Sequence, residues 1–205
     1  MENIWKGKNI RLRAANKKDG FLFADKSGNM DTESQRRYDY IDFPLADKEF
    51  GKRIEKYLKG NGFGHDFMFV IENEENKPCG FIVTFDCDHR MGSFKYGLFL
   101  LEEFKGKGYG SEAVLLMLNY YFNELRYNKV NVYIYDYNEP SIKFHEKLGF
   151  VKEGRLRQMA YSNGEYHDTI FYGMLKDEFN LNGVIWTSFG IAKFWYNFVK
   201  MLGNI

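Results

Sequence analysis

Alternation of apolar and polar residues predicts several short strands along the chain. The segment Ile10–Arg13 shows the period of two that is typical of a half-buried strand. Near the end of the domain, two alternating segments flank Asn163-Gly164, a dipeptide that favours a two-residue β-hairpin. In chain order, the predicted strands are Ile10–Arg13, Asp66–Glu72, Cys79–Phe85, Phe94–Leu100, Val130–Tyr137, Leu156–Tyr161 and Tyr166–Leu175.

Two longer segments carry apolar residues at helical spacing. The first runs from Ala46 to Leu58, and the second runs from Ser111 to Leu125. We interpret the apolar face of the second helix as core rather than as a cofactor contact. Short helices are predicted over 21–26, preceded by a cap from Asn16 and Asp19, and over 140–149, capped by Asn138. The apolar positions of the two longer helices are Phe50, Ile54, Tyr57 and Leu58, and Val114, Leu118, Tyr121 and Leu125.

This order of elements predicts an α/β fold of the α+β kind. We expect a mixed, mostly antiparallel sheet with helices on both faces. One domain is predicted over 1–180, followed by a C-terminal extension over 181–205.

The C-terminal extension, 181–205, is rich in aromatic residues. In a helical projection it has one narrow polar stripe, and it is too interrupted for a membrane span, which needs about 20 apolar residues. We expect it to pack on its own domain or on a twin subunit in a homodimer. Contact with a membrane surface is the alternative, because Trp, Phe and Lys suit a headgroup boundary. The stripe consists of Lys193, Asn197, Lys200 and Asn204.

Composition narrows the class of protein. The chain has 205 residues, of which 44% are hydrophobic and 19% aromatic, so a sizeable folded core is expected. Its formal net charge is only +1, which gives no indication of a nucleic-acid partner. Cys79 and Cys87 lie on one extended segment, roughly 26 Å apart, too far for a disulfide. Reduced thiols and the absence of an apolar N-terminal run predict a cytoplasmic protein.

The glycine-rich loop Lys105–Gly110 lies between a predicted strand and a predicted helix. Glycines let the backbone approach a ligand, and a helix N-terminus attracts anions, so this order is typical of a phosphate-binding loop. No Gly-Lys pair is followed by Ser or Thr, which excludes a P-loop. The dinucleotide spacing G-x-G-x-x-G is also absent, because Ser111 or Ala113 stands at the last glycine. Taken alone, the loop is equally typical of a tight turn.

Two further motifs follow in order, Asn138–Ile142 and Glu146–Phe150. With the loop, they resemble the GNAT superfamily, the GCN5-related N-acetyltransferases, over roughly residues 4 to 179. Gly154–Arg157 and the hairpin Asn163–Asp168 are similar to the branch that contains ribosomal-protein and spermidine acetyltransferases. The resemblance implies a single GNAT-like domain whose sheet splays between two strands.

The resemblance also implies the residues that contact acetyl-CoA, the expected cosubstrate, with no metal. Backbone groups of Leu98 and Leu100 would pair with the pantetheine arm, and an N–H near Phe99 or Leu100 would polarise the thioester carbonyl. The loop and helix start would carry the diphosphate. The implied coenzyme-binding residues are Leu98, Phe99, Leu100, Lys105, Gly106, Lys107, Gly108, Tyr109, Gly110, Ser111, Asn138 and Ser141.

Three positions depart from the family pattern. Lys105 stands where Gln or Arg is usual, and it keeps a positive charge. His145 stands where a Tyr often protonates the leaving thiolate, and imidazole can take that role, so His145 is the predicted catalytic residue. Lys95 stands where related enzymes often place a Glu. The general base is therefore open among Asp86, Asp88, His89 and Asp168, and a water chain or an acceptor that is already partly deprotonated are the alternatives.

The acceptor is expected to be a primary amine of a small molecule or peptide: a polyamine, an amino acid or amino sugar, an antibiotic, or a protein N-terminus. Tyr38, Asp39 and Asp42 are predicted acceptor contacts, because this region helps to wall the acceptor site in the family. Two alternatives remain open at this point. One is a coenzyme A-binding module without catalysis, and the other is a membrane-tethered or dimeric scaffold that works through 181–205.

Overall fold

A computed structural model describes residues 3–16, 18–19, 52, 55 and 64–181. Seven strands form one sheet, and α1 (Tyr109–Asn119) and α2 (Glu139–Lys147) are its two longer described helices. A short helix, α3 (Lys176–Leu181), follows the last strand. The strands are β1 (Ile10–Ala14), β2 (Phe67–Asn73), β3 (Pro78–Asp88), β4 (Ser93–Leu100), β5 (Lys129–Tyr135), β6 (Val151–Ser162) and β7 (Glu165–Leu175).

The spatial order of the strands is β1-β2-β3-β4-β5-β7-β6. Every neighbouring pair is antiparallel except β4 and β5, which run parallel. These two strands pair only over Ser93–Lys95 with Lys129–Asn131, and beyond that point they separate. The sheet is therefore mixed, mostly antiparallel and splayed, as expected.

The hairpin between β6 and β7 forms where Asn163-Gly164 predicts it. Asn163 has φ 57° and Gly164 has φ 89°, the two positive values of a type I′ turn. That turn has the twist that suits two adjacent antiparallel strands. Ser162 then pairs with Glu165, which fixes the register of both strands.

Helix α1 is more deeply buried than its predicted apolar face suggests. Val114 and Leu118 are buried as expected, but so is every residue from Ala113 to Leu118. The helix also begins at Tyr109, two residues earlier than predicted, and continues into a π-helical turn at Tyr120–Glu124. It is therefore a central helix of the core, with the start of the chain packed on its outer side through Trp5 and Tyr120.

Other predictions can be placed within the described residues. Asn16 and Asp19 do form a capping arrangement, since the Asp19 carboxylate accepts from the Asn16 N–H at 2.7 Å. Cys79 and Cys87 are both free thiols on β3. In the described part of the chain, no helix is long and apolar enough to cross a membrane, and no group of three or more His, Cys, Asp or Glu residues could hold a metal ion.

Some predictions lie outside the described residues. These are the helices over 21–26 and 46–58, apart from residues 52 and 55, the acceptor contacts Tyr38, Asp39 and Asp42, and the extension 182–205.

Candidate active site

Glycines shape the loop before α1. Gly106 and Gly108 have φ values of 73° and 82°, in the left-handed region that favours glycine. A Cβ added at either position would meet no other atom within 4 Å. Glycine is thus required here by backbone conformation, and the space beside the loop is open to a ligand.

Gly110 is required by close packing, whereas Gly106 and Gly108 are required by backbone conformation. A Cβ at Gly110 would lie 3.1 Å from Cδ2 of Leu98 and 3.2 Å from Cδ1 of Leu100. It would also lie 3.6 Å from the ring of Phe144 in α2. The missing side chain therefore lets the start of α1 pack closely against the end of β4 and against α2.

The start of α1 is suited to an anion. Gly108 is the N-cap residue and has no side chain to accept from the first-turn N–H groups. These N–H groups and the helix dipole favour a negative charge at this end. The predicted contacts Tyr109 and Ser111 both lie in this first turn.

Two lysines of the loop, Lys105 and Lys107, lie at the protein surface and leave the space beside the glycines open. Lys105 is exposed and pairs with Glu102 at 2.5 Å, while the Lys107 ammonium lies 5.2 Å from the Phe104 ring centroid. Both cations remain at the surface, where they can strengthen an anion site from outside. A partly exposed pair such as Lys105 with Glu102 contributes about 1 kcal/mol or less, so it can rearrange when an anion binds.

Beyond Lys95, the edge of β4 is not paired with β5. The Leu101 N–H donates to the Cys79 carbonyl of β3 at 2.9 Å. Because backbone groups alternate in direction along a strand, those of Phe99 also point to β3, and those of Leu98 and Leu100 point into the gap. The backbone groups of Leu98 and Leu100 thus face the gap, and their contact with an extended arm stays a prediction. Of the two residues expected near the oxyanion, the Leu100 N–H faces the gap and the Phe99 N–H does not.

His145 is buried in α2, at 7% exposure. Its Nδ1 lies 2.7 Å from the Ser141 carbonyl oxygen, so Nδ1 carries the hydrogen and donates it. Nε2 lies 2.9 Å from the Tyr96 hydroxyl and accepts from it. Burial lowers the pKa of His145 to about 4, partly opposed by the bond to Ser141, so the ring is neutral at physiological pH.

Asn138 caps α2, as the sequence predicts. Its side chain accepts from the Ser141 N–H at 3.4 Å, a long bond. Ser141 in turn holds His145 through its carbonyl oxygen, and its hydroxyl lies 3.3 Å from Nδ1. Asn138 and Ser141 are thus linked to the catalytic candidate, while their contact with the coenzyme stays a prediction.

Each of the four candidates for a general base already has a partner in the structure. Asp86 pairs with Lys95 at 2.8 Å, and Asp88 accepts from the Met91 N–H. His89 packs against His65, with 5.5 Å between ring centroids. A hydrogen bond from the Gln158 N–H, and to a smaller extent one from Arg155, holds the pKa of Asp168 below its usual range. The Asp168 carboxylate is therefore a weaker base.

Sequence reasoning missed two residues at this site. Tyr96 is buried and holds His145, and Glu112 in the first turn of α1 accepts from the backbone and side-chain N–H groups of Asn9. Alternation along β4 places Tyr96 on the helix side, but nothing in the sequence indicates its partner. The position of Glu112 in a first turn is a weak signal that the helix dipole favours it.

A family model described as the acetyltransferase (GNAT) domain matches residues 9–151. One curated relative, named SPbeta prophage-derived uncharacterized N-acetyltransferase YokL of Bacillus subtilis (strain 168), is 39% identical over 178 residues. That match covers 87% of this chain and 96% of the relative. The spermidine N(1)-acetyltransferase of Vibrio cholerae is 26% identical over 121 residues, 60% of this chain and 70% of that one.

Solved structures share the fold. The crystal structure of the Vibrio cholerae spermidine N-acetyltransferase in complex with CoA and spermine aligns with a TM-score of 0.71. It covers 83% of this chain and 97% of that chain, at 21% sequence identity. At that identity the likeness concerns the fold alone.

Proposed function

This chain belongs to the GNAT acetyltransferase family and is an acetyl-CoA-dependent N-acetyltransferase; we propose that its acceptor is a primary amine carried by a small molecule or a peptide. The acceptor class is inferred from the relatives named N-acetyltransferases. The observation that carries the coenzyme site is the glycine loop before α1, which is open to a ligand and packs through Gly110 on the end of β4, where that strand is not paired with β5. These two features lie where one ligand can use both, a diphosphate at the loop and an extended arm along the strand.

The loop is proposed to hold the diphosphate through backbone N–H groups. Gly106 and Gly108 give the backbone its left-handed turns, and the first turn of α1 adds N–H groups from Tyr109, Gly110 and Ser111. Lys105 and Lys107 add positive charge at the surface. The geometry fits an anion better than a neutral group, because these donors face open space without an acidic N-cap.

The edge of β4 is proposed to align the reacting bond. When bound, the cosubstrate supplies a thioester carbonyl, and the Leu100 N–H points into the gap where it can stabilise the developing oxyanion. The acceptor nitrogen forms the new N–C bond as the C–S bond breaks. A proton leaves the nitrogen, and the departing thiolate takes up a proton to become the free thiol.

His145 is proposed to serve that proton transfer together with Tyr96. In the structure described, His145 has no N–H free for a new acceptor, because Nδ1–H donates to Ser141 and Nε2 accepts from Tyr96. A proton would therefore reach or leave the imidazole at Nε2 through the Tyr96 hydroxyl. The described carboxylates that were candidate bases are engaged elsewhere: Asp86 pairs with Lys95, and Asp88 and Asp168 accept from backbone N–H groups.

Two further aspects stay proposals. We propose that the protein acts in the cytoplasm, which the free thiols of Cys79 and Cys87 support. A homodimer is supported by edge strand β6, whose Val151, Met159 and Tyr161 are 51%, 62% and 59% exposed.

The proposed reaction is tested by release of free thiol from acetyl-CoA across a panel of primary amines. We expect thiol release that depends on one class of amine and an acetylated product of matching mass. Binding of acetyl-CoA without turnover for any amine would instead support a coenzyme-binding module.

A further inference from the structure

Beyond Lys95, β4 and β5 separate and leave a gap between them. A ligand can approach this gap more easily from one face of the sheet than from the other. On the side of α2, Tyr96, His145 and Phe150 are 6%, 7% and 5% exposed, and the two rings of Tyr96 and Phe150 both pack on His145. This side is closed by packed side chains. Among the described residues, the opposite side of the sheet at the gap is only partly buried, so we expect an acceptor to reach the gap from that side, which we call the open face. At the gap, the open face consists of Lys95, Gly97 and Phe99 of β4 and Asn131 and Tyr133 of β5.

Lys95 lies on the open face at the point where the gap begins. It is the last β4 residue that pairs with β5, opposite Asn131. Its ammonium donates to the Asp86 carboxylate at 2.8 Å and lies 5.0 Å from the Tyr133 ring centroid. A β-bulge after Phe85 and a left-handed Asp86, with φ 50°, turn that carboxylate toward the lysine.

The contacts of Lys95 keep it charged. The hydrogen bond to Asp86 raises the pKa of Lys95, so its ammonium is a permanent cation near neutral pH and cannot be the general base. An ammonium has three N–H donors; the ion pair with Asp86 uses one, and Tyr133 is a second side-chain partner of Lys95. The Lys95 side chain is still 30% exposed, so an anion can approach the remaining donor.

Three carboxylates of the described strands on the same face are paired with basic side chains, and Asp88 of β3 accepts from the Met91 N–H. Glu72 accepts from two arginines of β1, and Glu153 pairs with Lys129 at 2.7 Å. Asp86 is paired with Lys95 itself. Where the gap begins, a polycation would therefore have to break the Lys95–Asp86 pair to use the Asp86 carboxylate, whereas an anion finds an exposed donor on Lys95.

We propose that Lys95 is a specificity-determining residue that recognises an anionic group, a carboxylate or a phosphate, on the acceptor amine. The inference rests on the proposed function and makes its acceptor class narrower. It also predicts that this chain does not prefer a polyamine as its acceptor, because the Lys95 ammonium at the gap repels a second ammonium on the acceptor.

The test compares amines that share a two-carbon spacing. Thiol release from acetyl-CoA is measured with ethanolamine, β-alanine and O-phosphoethanolamine, and with spermidine as the polycation. The variants are Lys95→Met, which removes the charge, and Lys95→Arg, which keeps it. Lys129→Met is the matched control, because Lys129 lies on the same face, is also paired with a carboxylate and lies away from the gap.

We expect kcat/KM to be higher for the two anionic amines than for ethanolamine or spermidine. Lys95→Met should lower that preference about fivefold, as expected for a partly exposed charge pair, and Lys95→Arg should retain most of it. If Lys95→Met loses more kcat/KM with β-alanine, the recognised group is a carboxylate; if it loses more with O-phosphoethanolamine, the group is a phosphate. A preference for spermidine, or an equal loss in Lys129→Met, would overturn the inference and leave the acetyl transfer itself intact.

A binding measurement covers the case in which none of these amines is turned over. With the protein loaded with CoA, O-phosphoethanolamine or β-alanine should raise the melting temperature more than ethanolamine does, and Lys95→Met should remove the difference. Equal shifts for all amines would overturn the role of Lys95. Failure of the proposed function would be recognised separately, by the absence of any response to CoA.

Discussion

His145 is the buried side chain at the gap whose chemistry depends most on its surroundings. Its two ring nitrogens have fixed partners, Ser141 on one side and Tyr96 on the other. The same burial that holds the ring in place also disfavours its charged form. Both its proposed catalytic role and its effect on stability therefore follow from one local environment.

The lowered pKa of His145 predicts a loss of stability in acid. The unfolded chain binds a proton at the ordinary value near 6.5, while the folded chain resists it down to about 4. The free energy of unfolding should therefore fall as pH drops through this window, by about 3 kcal/mol from this group. Urea unfolding at pH 7, 5.5 and 4 measures it.

A variant isolates the part of this pH dependence that belongs to His145. His145→Gln has no group that titrates in this range and should lose less stability between pH 7 and pH 4 than the parent. Identical pH slopes in the two proteins would show that folding does not lower the pKa of His145.

The Tyr96–His145 pair predicts how turnover responds to mutation. His145→Ala should lower kcat by about 100-fold, as expected for loss of a general acid or base, with little change in acetyl-CoA affinity. Tyr96→Phe removes only the hydroxyl that reaches Nε2 and should cause a similar fall if the two act together. Unchanged turnover of His145→Ala across a pH series would remove the proposed role.

At the scale of elements, the contact between α1 and β4 depends on one absent side chain. Gly110→Val should push the helix start away from Leu98 and Leu100, because even a Cβ would come within 3.1 Å and 3.2 Å of their methyl groups. We expect a loss of about 1–3 kcal/mol in stability, typical of overpacking, and weaker acetyl-CoA binding. Chemical unfolding and calorimetry measure the two effects.

The control for this change is Gly154→Val on β6. A Cβ there would meet no atom within 4 Å, so the same added volume should cost little. If both valine variants lost the same stability, close packing at Gly110 would not be the cause.

Ion pairs made by Arg13 of β1 link this strand to Glu72 of β2 and to Asp19. Arg13 pairs with Glu72 at 2.5 Å and with Asp19 at 2.7 Å, and the hydrogen bond to Asp19 raises the pKa of Arg13 above its ordinary value. Both carboxylates are 4% exposed. Arg13→Met would leave buried negative charge without this partner, at a cost of about 3–5 kcal/mol.

A neighbouring arginine provides the comparison for the Arg13 prediction. Arg11 also pairs with Glu72, but its side chain is 47% exposed, so Arg11→Met should cost about 1 kcal/mol or less. Thermal unfolding of the two variants under the same buffer gives the difference directly. Equal losses would contradict the assignment of Arg13 as the buried partner.

The sequence predicts local elements well where local chemistry decides them. The Asn163-Gly164 turn and the Asn138 cap follow from the conformations these residues favour. The two loop glycines likewise adopt positive φ values. Burial of α1 on all sides could not be predicted from its periodicity, because it depends on the chain start packing over it.

At the scale of the whole molecule, contacts between residues that are far apart in the sequence could not be predicted. Tyr96 and His145 are 49 residues apart, and Glu112 meets Asn9 across 103 residues. Spacing along the chain carries no information on such pairs. The same is true of Lys95 and Asp86, which meet because a bulge in β3 redirects a carboxylate.

The division into a domain over 1–180 and an extension over 181–205 remains a prediction. A chain truncated after Asn180 should keep its affinity for acetyl-CoA, since the loop, β4 and α2 all precede that point. Flotation with liposomes compares the full chain with the truncated one for membrane-surface contact. Equal, negligible flotation of both would exclude the membrane alternative, and loss of acetyl-CoA affinity would contradict the division.

The most direct test of the coenzyme site is calorimetric titration of acetyl-CoA into the parent chain, Gly108→Asp and Gly154→Asp. Gly108→Asp adds a carboxylate beside the proposed diphosphate site and strains a left-handed position, so affinity should fall at least about tenfold. Gly154→Asp makes the same change on β6 and should bind like the parent. No affinity in the parent chain, or intact affinity in Gly108→Asp, would contradict the role of the glycine loop.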